Sequence, residues 1–106
     1  MLFTISGKHV DVSEAVRKHA MEKTSKLPKY YNSVNQIEVI VDSVGGGKAK
    51  VEIIARAEHG KVFVGSQTGE DVYKCIDFAA HKLEEQLRRT KSRERDDKHA
   101  DKTKRE

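Results

Sequence analysis

The chain has 106 residues, of which 36% are hydrophobic and 36% are charged, with a formal net charge of +4 and a pI of ≈ 9.2. This length allows one domain, and no apolar run approaches the ~20 residues that a membrane span requires. The basic balance favours polyanionic partners, because cations placed near phosphates release condensed counterions.

A short strand and a helix are the first elements predicted along the chain. A β-prone run predicts a strand over residues 2–6. Ser13 followed by Glu14 offers an N-cap hydroxyl and a carboxylate at the positive end of a helix dipole. The apolar spacing that follows predicts a helix over residues 13–27, since Pro28 disfavours helical geometry at the residue before it.

The middle of the chain shows the alternation of a sheet. Residues 37–42 and 51–58 alternate apolar and polar side chains, which is typical of half-buried strands. The three glycines at 45–47 can take the positive backbone angles of a hairpin turn, and the His-Gly pair at 59–60 does the same before a strand at 62–64. We therefore predict that strands two, three and four form an antiparallel meander.

A second helix is predicted from Glu70, where the apolar spacing changes to three and four residues. It extends to Lys91 or beyond. Residues 93–106 contain six basic and five acidic side chains and a single apolar one, so we expect a flexible charged tail after a domain of residues 1–92. The order of elements predicts an α+β, two-layer β-α-β-β-β-α domain, with two helices packed on one face of a four-stranded sheet.

Basic side chains concentrate on both predicted helices. Five cations lie between Arg17 and Lys29, against one acid, Glu22. On the second helix they form two rows that flank the apolar stripe: Lys82, Arg89 and Arg93 in one row, and Lys74, His81, Arg88 and Arg95 in the other. Such helices on one face of a sheet favour RNA binding. The same charges also fit a merely solvated face with cations at a helix C-terminus, and charge alone leaves both interpretations open.

Little in the sequence points to catalysis or metal binding. His81 could pair with Cys75 or Asp77, but neither pair has a third orienting group. Cys75 on a helix flank is interpreted as a packing residue, and the five histidines lack the paired spacing of zinc sites. We predict no enzyme, metal or cofactor. A single cysteine and the absence of a signal peptide at the start predict a cytoplasmic location.

Several short segments carry a family resemblance across residues 1–92. They are Ile5-Ser6-Gly7, the helix start from Val12 to Arg17, Lys26-Leu27, the run from Asp71 to Asp77, and the run from Lys82 to Leu87 followed by Lys91. Together, and in this order, they resemble the ribosome hibernation-promoting factors. The resemblance implies a fold similar to double-stranded RNA-binding domains.

The functional implications follow from that resemblance. It implies binding to the small ribosomal subunit and its 16S rRNA where mRNA and the A- and P-site tRNAs pass, so that translation is blocked by occupancy, without any small-molecule substrate. It also implies inactive 100S ribosome dimers in stationary phase or stress, formed together with ribosome modulation factor. We expect the short form of the factor, a monomer in solution. A basic module that binds an acidic protein partner is the alternative.

The resemblance also places RNA contacts on six basic residues: Arg17, Lys23 and Lys26 in the first helix, and Lys82, Arg89 and Lys91 in the second. The charge pattern adds Arg88 to this set. Glu85 stands where the family usually has an arginine, and a carboxylate there would repel phosphate.

Overall fold

The computed structural model describes the backbone of residues 1–105 and the side chains of residues 1–95. Its main elements, in chain order, are β1 (Leu2–Lys8), α1 (Glu14–Thr24), α2 (Leu27–Tyr30), β2 (Val34–Gly45), β3 (Lys48–Ala57), β4 (Val62–Gly69) and α3 (Val72–Arg105). The strands form one sheet in the order β1-β2-β3-β4. No helix in the described part of the chain combines the length and apolar character needed to cross a membrane.

The sheet is mixed. β1 pairs with β2 in parallel, since α1 and α2 carry the chain back across the sheet between them, whereas the β2–β3 and β3–β4 pairs are antiparallel. The predicted meander of strands two to four is therefore confirmed. Its first turn uses Gly45, Gly46 and Gly47, all with positive φ, and its second uses His59 and Gly60 in the same region.

One face of the sheet carries the core. Val39 of β2 lies opposite Ile53 of β3, and both are completely buried, while their neighbours in sequence point to the other face and stay partly accessible. Ala20 of α1 and Leu83 of α3 belong to the same buried cluster. All the helices therefore cover one face of the sheet, which confirms the α+β two-layer prediction.

The first helix ends earlier than the sequence predicts. The predicted helix over 13–27 is divided into α1, which ends at Thr24, and the four-residue α2. At the C-terminal end of α1, the side-chain hydroxyl of Thr24 donates a hydrogen bond to the backbone carbonyl of Ala20 at 2.8 Å. Pro28 does not terminate the first helix; it lies in the first turn of α2, where a missing N–H costs nothing.

The long helix α3 is seated closely on β4. A Cβ added to Gly65 of β4 would come within 2.5 Å of the Ala79 carbonyl oxygen of α3, so only glycine allows this approach. Lys82 donates to the Ser66 carbonyl at 2.7 Å, and the Gln86 amide donates to the Val64 carbonyl at 2.7 Å. These two side chains satisfy acceptors of an edge strand that would otherwise be open to pairing with another chain.

α3 continues past residue 92, in agreement with the prediction of a helix that extends to Lys91 or beyond. It continues as a helix through residues 93–95, and Glu94 accepts a hydrogen bond from the Tyr31 hydroxyl at 2.7 Å. The side chains of residues 96–106, which make up most of the predicted tail, lie outside the described residues. Flexibility of that segment stays a prediction.

Candidate nucleic-acid interface

α1 and α3 are joined by a polar bridge next to the core. His19 Nε2 lies 2.7 Å from Asp77 Oδ1, and Lys23 Nζ is 4.0 Å from the same oxygen. The ring of His19 meets the ring of Tyr73 edge-on, with centroids 5.2 Å apart. This bridge sets the position of α1, with its basic side chains, against α3.

α2 and α3 meet at a second contact, made by an aromatic ring and a cation. The Arg88 guanidinium lies over the Tyr30 ring, 4.8 Å from its centroid. Around this pair lies a surface groove with a volume of ≈ 390 Å³, which we call the basic groove. It is lined by Lys29, Tyr30, Arg88, Lys91, Ser92 and Arg95.

The charges of the basic groove all have one sign. Four of its six lining residues are cationic, and none is acidic. Within the part of the chain whose side chains are described, Lys29, Arg88, Lys91 and Arg95 form no ion pair. The groove is therefore lined by positive charge alone, with Glu94 and Glu85 in the adjoining grooves.

Several of the other residues predicted to contact RNA already have partners within the protein. Arg17 Nη1 lies 3.4 Å from Glu14 Oε1, and Lys23 faces Asp77. Lys82 Nζ donates to the Ser66 carbonyl and to the Gln67 side-chain oxygen at 2.9 Å. Arg89 Nε lies 3.4 Å from the carbonyl of Glu85. Lys26 is exposed at the start of α2.

The cations of α3 lie on two different flanks of that helix. Lys82 and Arg89 face the edge of β4, where Lys82 is bonded. Lys91 lies nine residues after Lys82, about 180° around the helix at ~100° per residue, and it faces α2 with Arg88. The structure thus brings Arg88 and Lys91 together with Lys29 and leaves Lys82 apart, while Arg89 lies beside Arg88 and Glu85.

Tyr31 closes the core next to the basic groove. Its ring packs edge-on against Phe63 with centroids 5.6 Å apart, and its hydroxyl bonds to Glu94 and Lys61. The pKa of Lys61 is raised because its ammonium group bonds to the Glu94 carboxylate and to the Tyr31 hydroxyl. Both Tyr30 and Tyr31 pack against the core.

The residues considered for catalysis do not come together. Cys75 is 2% exposed and packs in the core, as predicted, and burial raises the pKa of its thiol. His81 lies 3.1 Å from Glu85 on its own helix, while Asp77 is bonded to His19. No three potential metal-ligating side chains cluster within residues 1–95.

Four residues of the basic groove were not among the predicted contacts: Lys29, Tyr30, Ser92 and Arg95. Arg95 could have been added from its spacing of four residues after Lys91, which puts both on one helix face. Lys29 and Tyr30 could not, because their place beside α3 depends on the separate helix α2, which the sequence pattern did not resolve.

The geometry defines a class of protein: a small α+β domain whose helices share one face of the sheet and present unpaired cations. Residues 3–95 match the family described as "Sigma 54 modulation protein / S30EA ribosomal protein". The chain belongs to this family, as its sequence motifs predict. The family consists of binding proteins, not of enzymes, in agreement with the prediction.

Two curated relatives illustrate the range of lengths. The ribosome hibernation promoting factor of Pseudomonas putida is 32% identical over 94 residues, covering 89% of this chain and 90% of that protein. The ribosome hibernation promotion factor of Lactococcus lactis is 34% identical over 93 residues, covering 86% of this chain. The chain spans only 50% of the length of the Lactococcus protein.

Solved structures agree with the fold. A ribosomal subunit interface protein from Coxiella burnetii superposes with a TM-score of 0.78 at 25% identity, covering 87% of this chain and 99% of that one. The N-terminal domain of Protein Y from Thermus thermophilus gives a TM-score of 0.71 at 26% identity, covering 83% and 94%.

Proposed function

We propose that this chain binds the small ribosomal subunit on its 16S rRNA, where mRNA and the A- and P-site tRNAs pass, and blocks translation by occupying that channel. One observation carries the proposal: relatives aligned over about nine tenths of the chain are named ribosome hibernation promoting factors. The unpaired cations of the basic groove support a polyanionic partner.

The physiological setting forms part of the same proposal. The protein acts in the cytoplasm, as a monomer, in stationary phase or under stress. Together with ribosome modulation factor it promotes inactive 100S dimers. Inhibition needs no chemistry, because a rigid domain seated in the channel excludes the RNAs by volume.

The RNA contacts proposed for this function are seven basic residues on the helices: Arg17, Lys23, Lys26, Lys82, Arg88, Arg89 and Lys91. Their contributions should differ. Lys82 already donates two hydrogen bonds to β4, whereas Lys91 has no described partner, so Lys91 gains more from a phosphate.

Co-sedimentation with purified ribosomes tests the proposal. We expect the wild-type protein to sediment with small subunits, and the variant with Arg88→Glu and Lys91→Glu to remain in the supernatant with its fold intact, since exposed charges contribute little stability. The matched control is Lys48→Glu with Lys50→Glu, which removes as much charge from the β2–β3 hairpin. Failure of the wild-type protein to sediment with small subunits would refute the proposal.

Two further readings complete this experiment. Nuclease treatment that releases the protein supports RNA as the partner, whereas retention after nuclease treatment supports the alternative of an acidic protein partner. Sucrose-gradient profiles of stationary-phase ribosomes with and without the protein test its role in 100S dimers. A 100S peak of equal size in both profiles would contradict that role.

A further inference from the structure

We infer that the outer edge of β1 binds the same edge of a second copy of this chain, so that two four-stranded sheets join into one antiparallel junction. The association is a property of the free protein at high concentration. It goes beyond the proposed function, in which the domain acts as a monomer, and no RNA takes part in it.

The two outer strands of the sheet differ in how their edges are protected. At β4, Lys82 and Gln86 donate to two backbone carbonyls and so occupy acceptors that another strand would need. Within residues 1–95, no side chain bonds to the backbone of β1. The run from Leu2 to Gly7 also lacks the charges and prolines that usually keep an edge strand from pairing. β1 is therefore the edge that is open to a partner.

Apolar side chains of β1 stay incompletely covered at this edge. Phe3 and Ile5 point toward the helices and pack against the core, but both remain partly accessible, whereas the residues opposite them on β2 are completely buried. Leu2, on the other face of the sheet, is 58% exposed. A further strand beside β1 would therefore remove apolar surface from water that a single copy leaves exposed.

β1 is complementary to itself in one antiparallel register. In that register Thr4 lies opposite Thr4 of the second copy, and the pairs on either side of it, each formed twice, are Phe3 with Ile5 and Leu2 with Ser6. Pairs of two threonines, and of an aromatic with a β-branched residue, are among the cross-strand pairs that stabilise antiparallel sheets. The contact uses the same surface on both copies, so the association closes at a dimer.

Other combinations of edges are disfavoured. Lys82 lies at the edge of β4 and Lys74 lies close to the end of that strand, so two copies that meet through β4 bring like charges together. A β1 edge that pairs with a β4 edge must first displace the bonds of Lys82 and Gln86. Pairing β1 with β1 breaks no such bond and brings no charged side chain into the paired run of residues 2–6.

The dimer should be weak, and salt should strengthen it. Five paired residues extend ~17 Å at ~3.4 Å per residue, so the interface is smaller than in stable dimers, and we expect a dissociation constant on the order of 0.1 mM. Each copy has a net charge of +4, and salt screens the repulsion between the two copies. Binding to RNA weakens with salt, so the two associations respond to it in opposite directions.

Sedimentation equilibrium of the full chain between ~10 μM and ~1 mM tests the inference. The test variant is Thr4→Lys, which puts two lysines opposite each other in the dimer, and the matched control is Thr68→Lys on β4. Both threonines are exposed on the sheet face that carries no helix, so both variants keep the fold. We expect Thr4→Lys to weaken dimerisation at least ~10-fold and the control to stay within ~2-fold of the wild type. A wild type that remains monomeric at the highest concentration, or equal weakening by the two variants, would overturn the inference.

An exchange of charge tests the register. Thr4→Glu alone should be as poor at dimerising as Thr4→Lys, whereas an equimolar mixture of the two variants should dimerise at least as tightly as the wild type, because opposite charges then face each other. A mixture that remains monomeric would overturn pairing about Thr4.

A disulfide gives an independent reading of the same contact. Residues directly opposite each other in an antiparallel pair have Cα atoms about 4.5–5.5 Å apart, a separation that a disulfide can span. Thr4→Cys should therefore form a covalent dimer under mild oxidation, and Thr68→Cys should not. Cys75 is 2% exposed and does not compete. Equal crosslinking of the two variants would show that the contact is not specific to β1.

Discussion

Gly65 shows how a single residue decides where the long helix lies. An added Cβ would be 2.5 Å from the backbone oxygen of Ala79, and a backbone atom cannot move aside as a flexible side chain can. We expect Gly65→Ala to lower the free energy of unfolding by about 1–3 kcal/mol, the usual cost of overpacking, measured by urea denaturation. Ser66→Ala, on the partly accessible next position, should change it by less than about 0.5 kcal/mol. Equal values for the two variants would contradict this account.

Cys75 gives a second prediction at the level of one side chain. Burial raises the pKa of its thiol, with a smaller contribution from Asp71, and the thiolate is the reactive form. Modification by Ellman's reagent near pH 8 should therefore be at least ~10-fold slower in the folded protein than in urea. Comparable rates in the two conditions would show that the thiol is accessible.

The same shift in pKa has a consequence for stability. The folded state holds the Cys75 proton to a higher pH than the unfolded chain does. Its stabilising contribution is therefore fully present below the ordinary thiol pKa and is lost as the pH rises through the folded value.

Some residue roles could be predicted from the sequence because they depend on neighbours along the chain. Ser13 caps α1, with its hydroxyl accepting from the Val16 N–H at 3.2 Å, and the three hairpin glycines have positive φ. The partners of Lys82 and Tyr30 could not be predicted. Those contacts join residues 16 and 58 positions apart in sequence, and only the packing of α3 against the rest of the domain brings them together.

At the level of elements, the bridge between His19 and Asp77 ties α1 to α3. Their bond is 2.7 Å long and partly shielded from water by Tyr73. We expect a double-mutant cycle with His19→Ala and Asp77→Ala to give a coupling energy of about 0.5–1.5 kcal/mol in urea unfolding. The control is the exposed pair of Glu14 and Arg17, for which we expect less than about 0.5 kcal/mol. Similar coupling energies in the two cycles would mean that the bond between His19 and Asp77 stabilises the protein no more than an exposed ion pair does.

The strands and the two main helices could be predicted from periodicity, because apolar spacing records which face is buried. The limits of the helices could not. The first helix was predicted to be too long because the apolar stripe continues to Leu27, which is also buried. The helix itself is interrupted after Thr24, and Leu27 belongs to α2. The helix was predicted to reach Lys91 or beyond, but the contact of Glu94 with Tyr31 and Lys61 joins distant segments and could not be predicted.

The protein is elongated, with extents of 58 × 26 × 19 Å. The 34 residues of α3 span about 51 Å at ~1.5 Å per residue, and they account for the long axis. The basic groove lies part-way along this axis, where α2 meets α3. A molecule of this shape can lie along an RNA channel and hold it through phosphates on one side.

The central claim, that the chain occupies the channel for mRNA and tRNA, is tested most directly by chemical footprinting of 16S rRNA in purified small subunits. With the wild-type protein bound, we expect protection of nucleotides lining the mRNA path and the A and P sites, and loss of that protection with Arg88→Glu and Lys91→Glu. Protection confined to other parts of the rRNA, or none at saturating protein, would contradict the account.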